Sequence, residues 1–519
     1  MGNTNGVLVV GAGPVGLTTA SQLARLGVPV RVVDLLEQPT DESRAVVIHA
    51  RSLEMLAALG VAPRLEARGR RIDGLEIADG RTGATRAGAD LTGIPSRYPF
   101  MLDIAQPDTE AVLAERAAEL GIVVERGVEL TALTQDADGV EVTLRSAAGD
   151  ETARFGWVVG ADGGHSTTRH LVGTHLEGGF HGQHFAMADV EVETSLDPGT
   201  GRMFTHPDGL AMLFPLRGSR ARTIFLVDDP GPDATAPTLE QIEALTQERM
   251  AGRVRVTGSH WLTYFEIHHA QVPQYRPGRV LLAGDAAHIH SPAGAQGMNT
   301  GIQDAANLAW KLALVARHAA DPELLDSYQE ERHPVGAAVV RTTTALTGVG
   351  TTSGALGALR SAAMFVVGHV PALGEAAAER LAELTVGYRD SSLAVQHGGH
   401  RRGAARAGEH APDPEGLRRP DGTPVAVEEL LAQPGFLLLA RGGAEELREV
   451  LGELGTVVEI GRDVLDADDV VGTHYGLGAE GLALIRPDGY LGLVADTADA
   501  SVLRSYLADV LRVGAPAAV

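Results

Sequence analysis

Cysteine is missing from this chain altogether. Its absence excludes disulfides, thiolate-held metals and any electron relay through a dithiol. Lysine is nearly missing too: Lys311 stands alone inside an expected helix, so amine-based covalent chemistry has no natural nucleophile. Arginine supplies the remaining positive charge and is outweighed, the formal net charge being −24. That sign argues against a nucleic-acid partner, because phosphate neutralisation needs clustered cations. Long apolar runs are lacking as well. The most apolar late stretch, residues 362–373, is broken by His369 and Pro371 and is too short to span a bilayer. No basic region precedes an apolar run at the start, and Gly6 stands where a myristoylation signal needs Ser or Thr. These absences predict a cytoplasmic protein with neither a membrane nor a nucleic-acid partner. No metal-ligand cluster, nucleophile elbow or Ser/His/Asp set stands out.

Glycine is plentiful, with 64 residues, and its positions carry the information. Val7-Leu-Val-Val10 reads as a buried strand, 17–26 as a helix closed by Gly27, and 30–33 as a second strand ending at Asp34. Between the first strand and the helix lies Gly11-Ala-Gly-Pro-Val-Gly16, a G-x-G-x-x-G in the context that gives the motif meaning. Gly11 permits the tight turn, Gly13 lets backbone approach a pyrophosphate, and Gly16 allows close helix–strand packing. The helix beginning around Pro14 and Val15 offers free N–H groups to the anion. Asp34, followed by Leu35, is placed to accept hydrogen bonds from a ribose. Gly476-Leu-Gly-Ala-Glu-Gly481 has the same spacing but no strand–helix unit around it, so it reads as a loop and adds no second nucleotide domain.

Two further groups follow. Gly160-Ala-Asp-Gly163 closes a strand over 157–159, and Gly284-Asp285 closes another over 279–284. The latter runs on into Pro292-Ala-Gly-Ala-Gln-Gly-Met-Asn299 and a helix over 299–315. In this order and spacing the three groups resemble the FAD-dependent aromatic hydroxylases of the para-hydroxybenzoate hydroxylase type. The resemblance implies non-covalent FAD. Asp162 and Gly163 would touch it, with Asp162 also on the nicotinamide path and Arg169 supporting the turn. Gly284 and Asp285 would meet the ribityl chain. Pro292, Gly297, Met298 and Asn299 would frame the flavin edge, where N–H donors and the helix dipole stabilise negative charge on reduced flavin. The family's usual Gly-Gly-Gln-Gly is here Gly294-Ala295-Gln296-Gly297. Arg44, Gln106 and Leu130 match contacts to FAD, the ribityl chain and adenine. Asp304-Ala-Ala-Asn307, Trp310-Lys311-Leu312 and Arg332-His333-Pro334 continue the likeness.

The implied reaction uses NADPH or NADH to reduce the flavin. O2 then gives a C4a-hydroperoxide, whose distal oxygen is attacked by an electron-rich carbon of an aromatic, phenolic substrate. Pro292 would frame that position. His288 is open to either an acid–base or a packing role. The implied fold is α/β: a Rossmann-like FAD-binding domain over 1–72, 103–179 and 271–396 with a helical extension. A β-sheet substrate domain, 73–102 and 180–270, is inserted into it. A Gly, Arg and Pro-rich linker over 397–422 leads to a thioredoxin-like domain over 423–519, similar to the tail of phenol and aromatic-polyketide hydroxylases. Where a redox tail needs Cys-x-x-Cys, this one has Ala440-Arg-Gly-Gly443, so its expected role is structural. The tail points to a bulky polycyclic ring of the kind met in antibiotic biosynthesis. Substrate-facing candidates are Phe204, Met212, Phe214, Phe225 and Tyr264, with Phe100 and Phe265. Baeyer–Villiger oxygenation or epoxidation of a natural product stays open, as does an FAD-binding scaffold or sensor. Oligomeric state, a homodimer included, is also open.

Overall fold

Strand Val7–Val10 is buried along its whole length because parallel neighbours flank both its edges. The computed structural model describes residues 6–514 apart from 41, 44, 232, 290–294, 352–370 and 400. In it, five strands lie in the order Val280–Leu282, Trp157–Gly160, Val7–Val10, Val30–Asp34 and Val124–Arg126, every pairing parallel. Helix Pro14–Arg25 packs between Gln106–Glu119 and Gly297–Ala316. It starts three residues before the expected 17, since proline's fixed φ and missing N–H suit the first helical turn. Helix Gly297–Ala316 is buried nearly all round and holds the first domain together. An antiparallel ribbon, Glu129–Gln135, Val140–Ser146 and Gly149–Phe155, flanks this layer.

The second sheet has eight strands, and it draws Gly74–Asp79 and Thr85–Asp90 together with strands between Glu177 and Ile289. The join is the parallel pair Gly74–Asp79 with Thr200–Thr205. One face is covered by helix Leu239–Arg249, started by a capping box between Thr238 and Gln241. The other face carries a separate apolar cluster.

The C-terminal sheet runs Val395–His397, Leu491–Ala495, Gly481–Ile485, Phe436–Arg441, Gly455–Glu459. Its first strand ends at His397, where the stretch read as a linker begins. Ala407, Ala411 and Leu417, in the stretch read as a linker, are buried in the same core as Leu437 and Leu439. Composition there marks turns rather than a solvated tether. The segment 476–478 is irregular, as expected of a loop.

The hairpin turn Pro487-Asp488-Gly489 binds this unit to the first domain. Asp488 accepts hydrogen bonds from Trp310 Nε1 at 3.1 Å and Asn307 Nδ2 at 3.2 Å. Glu331 sits between Arg486, at 2.6 and 2.8 Å, and Lys311, at 2.7 Å, all three side chains wholly buried. Burial pulls the Lys311 ammonium down to about 8, against the attraction of Glu331.

A second contact joins Tyr98 Oη to Glu428 at 2.9 Å. Burial raises the Glu428 carboxyl from 4.5 to about 7. Between those values the unfolded chain ionises freely while the folded one resists, so stability falls as pH rises through about 7. Glu428→Gln keeps the acceptor and removes that cost. It is expected to stabilise the protein at pH 8 by about 1–2 kcal/mol, discounted for partial solvation, and by almost nothing at pH 5. Chemical denaturation at the two pH values checks this; an equal gain at both contradicts it.

Candidate cofactor and substrate site

Val10, Gly160 and Leu282 occupy neighbouring register positions at the carboxyl ends of three adjacent parallel strands. The three glycine-bearing loops therefore leave the sheet side by side, the place where open α/β sheets bind ligands. Hydrogen bonds carry the ladder past the strand ends: Ala161 N–H donates to Val10 O at 2.8 Å and Ala283 N–H to Gly160 O at 3.0 Å. Gly11 has φ +104°, and a Cβ there would lie 2.3 Å from Ala161 O. A Cβ on Gly16 would lie 1.9 Å from Gly11 O. At Gly13 and Gly163 a Cβ would meet none of the described residues within 4 Å, so open space among them faces those two backbones. Helix Pro14–Arg25 has no side-chain cap and no acid in its first turn, leaving its N–H groups free for an anion. A dinucleotide pyrophosphate fits this cradle.

Asp34 accepts from Ala12 N–H at 2.6 Å and Leu36 N–H at 2.8 Å, and Arg126 stands 3.5 Å away. It thus clamps the glycine loop as well as marking the expected ribose position. Leu35 beside it is 63 % exposed. Asp162 takes Ser166 Oγ–H at 2.5 Å and both the N–H and hydroxyl of Thr168, at 2.8 and 2.9 Å. Those three donors shape the loop that presents Gly163. Arg169, buried, donates to Gly164 O at 2.7 Å and Ala286 O at 3.3 Å, pinning the second loop to the third. Gly284 and Gly301 both need to lack a side chain, since Val15 Cγ2 would be 2.8 and 2.5 Å from a Cβ on each. The Asp285 side chain is exposed at the mouth.

Helix Gly297–Ala316 presents a second uncapped N-terminus, with Met298 half-buried. Asn299 is buried and spent on backbone: it accepts from His49 N–H at 2.9 Å and donates to Val47 O and Ala295 O at 2.9 and 2.8 Å. Ala295, where the family pattern has glycine, has φ +54°. An alanine held there is strained relative to glycine by roughly 1 kcal/mol. Ala295→Gly is expected to raise stability by about that amount without weakening FAD binding, as melting of the apo and loaded protein will show. A lower melting temperature contradicts it. Gln106 accepts from Ala45 N–H at 3.1 Å, and its own N–H bonds Ser43 Oγ at 3.2 Å, so residues on both sides of Arg44 are fixed. Leu130 is buried. Arg44 and Pro292 lie outside the described residues.

The sequence singled out Asp304, His288 and Arg332 separately but not that they meet in a strut beneath the third loop. Asp304 Oδ2 accepts from Gly284 N–H at 3.1 Å and meets His288 Nε2 at 2.7 Å; Oδ1 takes Arg332 Nε–H at 2.7 Å. Burial pushes the Asp304 carboxyl up, but Arg332 and His288 more than offset this and hold it below its usual value. Arg332 also donates to Tyr388 Oη and Thr300 O, at 2.9 and 3.0 Å. His288, wholly buried, supports the loop from below.

Strand parity sorts the substrate candidates. Phe204 and Phe225 are buried, and Tyr264 half-buried, on the face covered by helix Leu239–Arg249; this places them in ordinary core, a correction to the set expected to face substrate. Met212 and Phe214 lie on the opposite face with Phe185, Met187, Ile224, Trp261 and Phe265. Phe185 and Phe265 stack there at 5.3 Å. Arg222 is buried on this face, 2.5 Å from Asp189 and beneath the Trp261 ring. Phe100 is buried under the Arg71 guanidinium.

Comparison with known proteins agrees with this geometry. Residues 4–343 match the FAD binding domain family, and the chain belongs to that family. It is 36 % identical over 524 residues to 6-methylpretetramide 4-monooxygenase of Streptomyces rimosus, covering 96 % of this chain and 92 % of that one. Against pentachlorophenol 4-monooxygenase of Sphingobium chlorophenolicum the identity is 33 %, with 93 % of each chain covered. Anhydrotetracycline hydroxylase from Streptomyces rimosus superposes with a TM-score of 0.80 at 31 % identity, over 99 % of both chains. Among the described residues no helix is long and apolar enough to cross a membrane.

Proposed function

We propose that the protein is an FAD-dependent monooxygenase that places one oxygen atom on a polycyclic, phenolic aromatic ring, with NADPH or NADH as reductant and O2 as oxidant. The observation that carries this is the convergence of three glycine loops in front of open space at Gly13 and Gly163. Relatives named for 6-methylpretetramide and pentachlorophenol monooxygenation support the substrate class. FAD, when bound, supplies the redox and oxygen-activating chemistry, which no side chain can provide.

This chain's own residues bind, orient and keep water out. N–H groups at the start of Pro14–Arg25 would hold the pyrophosphate, and those at the start of Gly297–Ala316 would meet the flavin ring. The apolar sheet face around Met212, Phe214 and Phe265 forms the dry wall against which a flat ring lies. Paired variants separate the two faces. Phe214→Ala is expected to raise KM about tenfold at nearly unchanged melting temperature, through lost ring contact. Phe204→Ala, in the helix-covered core, is expected to cost about 3–4 kcal/mol of stability. Reversed effects would contradict the assignment of faces.

The C-terminal unit is read as thioredoxin-like in form and structural in role, supported by its mixed five-stranded sheet and lack of cysteine. The functional test is oxygen-dependent NAD(P)H consumption by the yellow protein with a panel of fused-ring phenols, the product examined by NMR for a new ring hydroxyl. No turnover across the panel, or oxygen inserted beside a ketone, contradicts the proposal.

A further inference from the structure

Behind the flavin-loop helix lies a cavity of about 650 Å³, within the range of sites that hold drug-sized ligands. It is bounded by Gln303 and Thr300 of helix Gly297–Ala316, Val335 of helix Asp326–Thr351, and Glu383, Val386 and Tyr388 of the returning chain. Gln296, at the N-cap of helix Gly297–Ala316, borders it, but none of the cradle's glycines does. Gly301 faces Val15 and the third loop, whereas Thr300 and Gln303 line this chamber.

Glu383 makes the chamber more than a packing gap. It is 4 % exposed, one carboxyl oxygen accepts from Gln303 Nε2, and the other, Oε1, is buried with no hydrogen-bond partner among the described residues. A buried acceptor left unmade costs about 1–3 kcal/mol. The backbone adds to that cost. Glu383 closes helix Pro371–Leu381 with φ +62°, and Leu384 N–H bonds back to Glu379 O at 3.1 Å. This helix-ending position favours glycine. Arg332, the cation whose charge bears on Glu383, is committed to Asp304, Tyr388 and Thr300. Burial raises the carboxyl to about 8, so at neutral pH it is mainly a proton donor. A carboxylic acid beside a primary amide, with Val335 and Val386 on the walls and the charged Glu330, Arg380 and Arg389 in the same lining, is suited to a carbonyl or phenolic oxygen on a flat ring system that carries further polar groups.

The geometry points to a second small-molecule site here, in which Glu383 and Gln303 hold the oxygen edge of a polycyclic phenol or quinone. For the ligand's class it rests on the function proposed above. For the site's existence it rests on cavity and carboxyl alone.

The test is calorimetric titration of the FAD-loaded protein with 1,8-dihydroxyanthraquinone, following flavin absorbance in parallel. Two molecules are expected to bind, only one of them perturbing the flavin spectrum. Ala338→Trp, at the exposed rim, is expected to remove the spectrally silent molecule and keep the other. Glu383→Gln, preserving shape, is expected to weaken the silent site about tenfold. One molecule bound by the wild type, or a silent site indifferent to both substitutions, overturns the second site and leaves the hydroxylase reading standing. A silent site that persists in a protein whose flavin never responds retains this inference and defeats the hydroxylase reading.

Discussion

Gly16→Ala is expected to destroy FAD retention and to lower the stability of the apoprotein as well, by more than about 3 kcal/mol. The new methyl would sit 1.9 Å from Gly11 O, and backbone cannot yield as a side-chain tip does. Either helix Pro14–Arg25 lifts from strand Val7–Val10 or the first loop opens, and both spoil the cradle. Gly13→Ala is the informative contrast. Its methyl meets no atom of the described residues within 4 Å, so apoprotein melting should be nearly unchanged while FAD affinity falls at least tenfold. If Gly13→Ala binds FAD normally, the open space before Gly13 is not where the pyrophosphate lies.

Removing Glu331 should have an effect of similar size at a distance from the cofactor. Glu331→Ala leaves Lys311 and Arg486 facing each other in the interior with only Asp488 to share. Breaking a buried ion network from one side costs about 3–5 kcal/mol, because the abandoned charges stay desolvated. The Pro487-Asp488-Gly489 turn would be the first element expelled, since its partners Asn307 and Trp310 belong to the same cluster. Early proteolysis near residues 397–422, ahead of global unfolding, is the expected sign. Cooperative melting at the wild-type temperature would show the network to be dispensable.

Much of the cofactor site was legible in sequence because its requirements are backbone requirements. Gly11 and Gly16 are glycine because neighbouring carbonyl oxygens occupy the Cβ positions, and that constraint leaves a fixed spacing. Ala295 shows the same rule from the other side: the departure from the glycine pattern falls where φ is positive. The strut of Asp304, His288 and Arg332 was hidden because its members are 16 and 28 residues apart and meet only through helix packing. Alternation marked the second sheet's strands but not which face each side chain takes, so Phe204, Phe225 and Tyr264 were grouped with Met212 and Phe214. The face is decided by helix Leu239–Arg249, which covers one side. Residues 397–422 misled by composition: turns rich in Gly, Arg and Pro can be packed against a core as firmly as helices, as Ala407 and Leu417 are.

The most direct measurement is anaerobic titration of the apoprotein with FAD, followed by mixing the loaded protein with NADPH, air and a fused-ring phenol. The structure predicts one FAD per chain, a yellow protein, and a phenol gaining one ring oxygen for each NADPH consumed. An apoprotein that folds but stays colourless in excess FAD would contradict the account at its root.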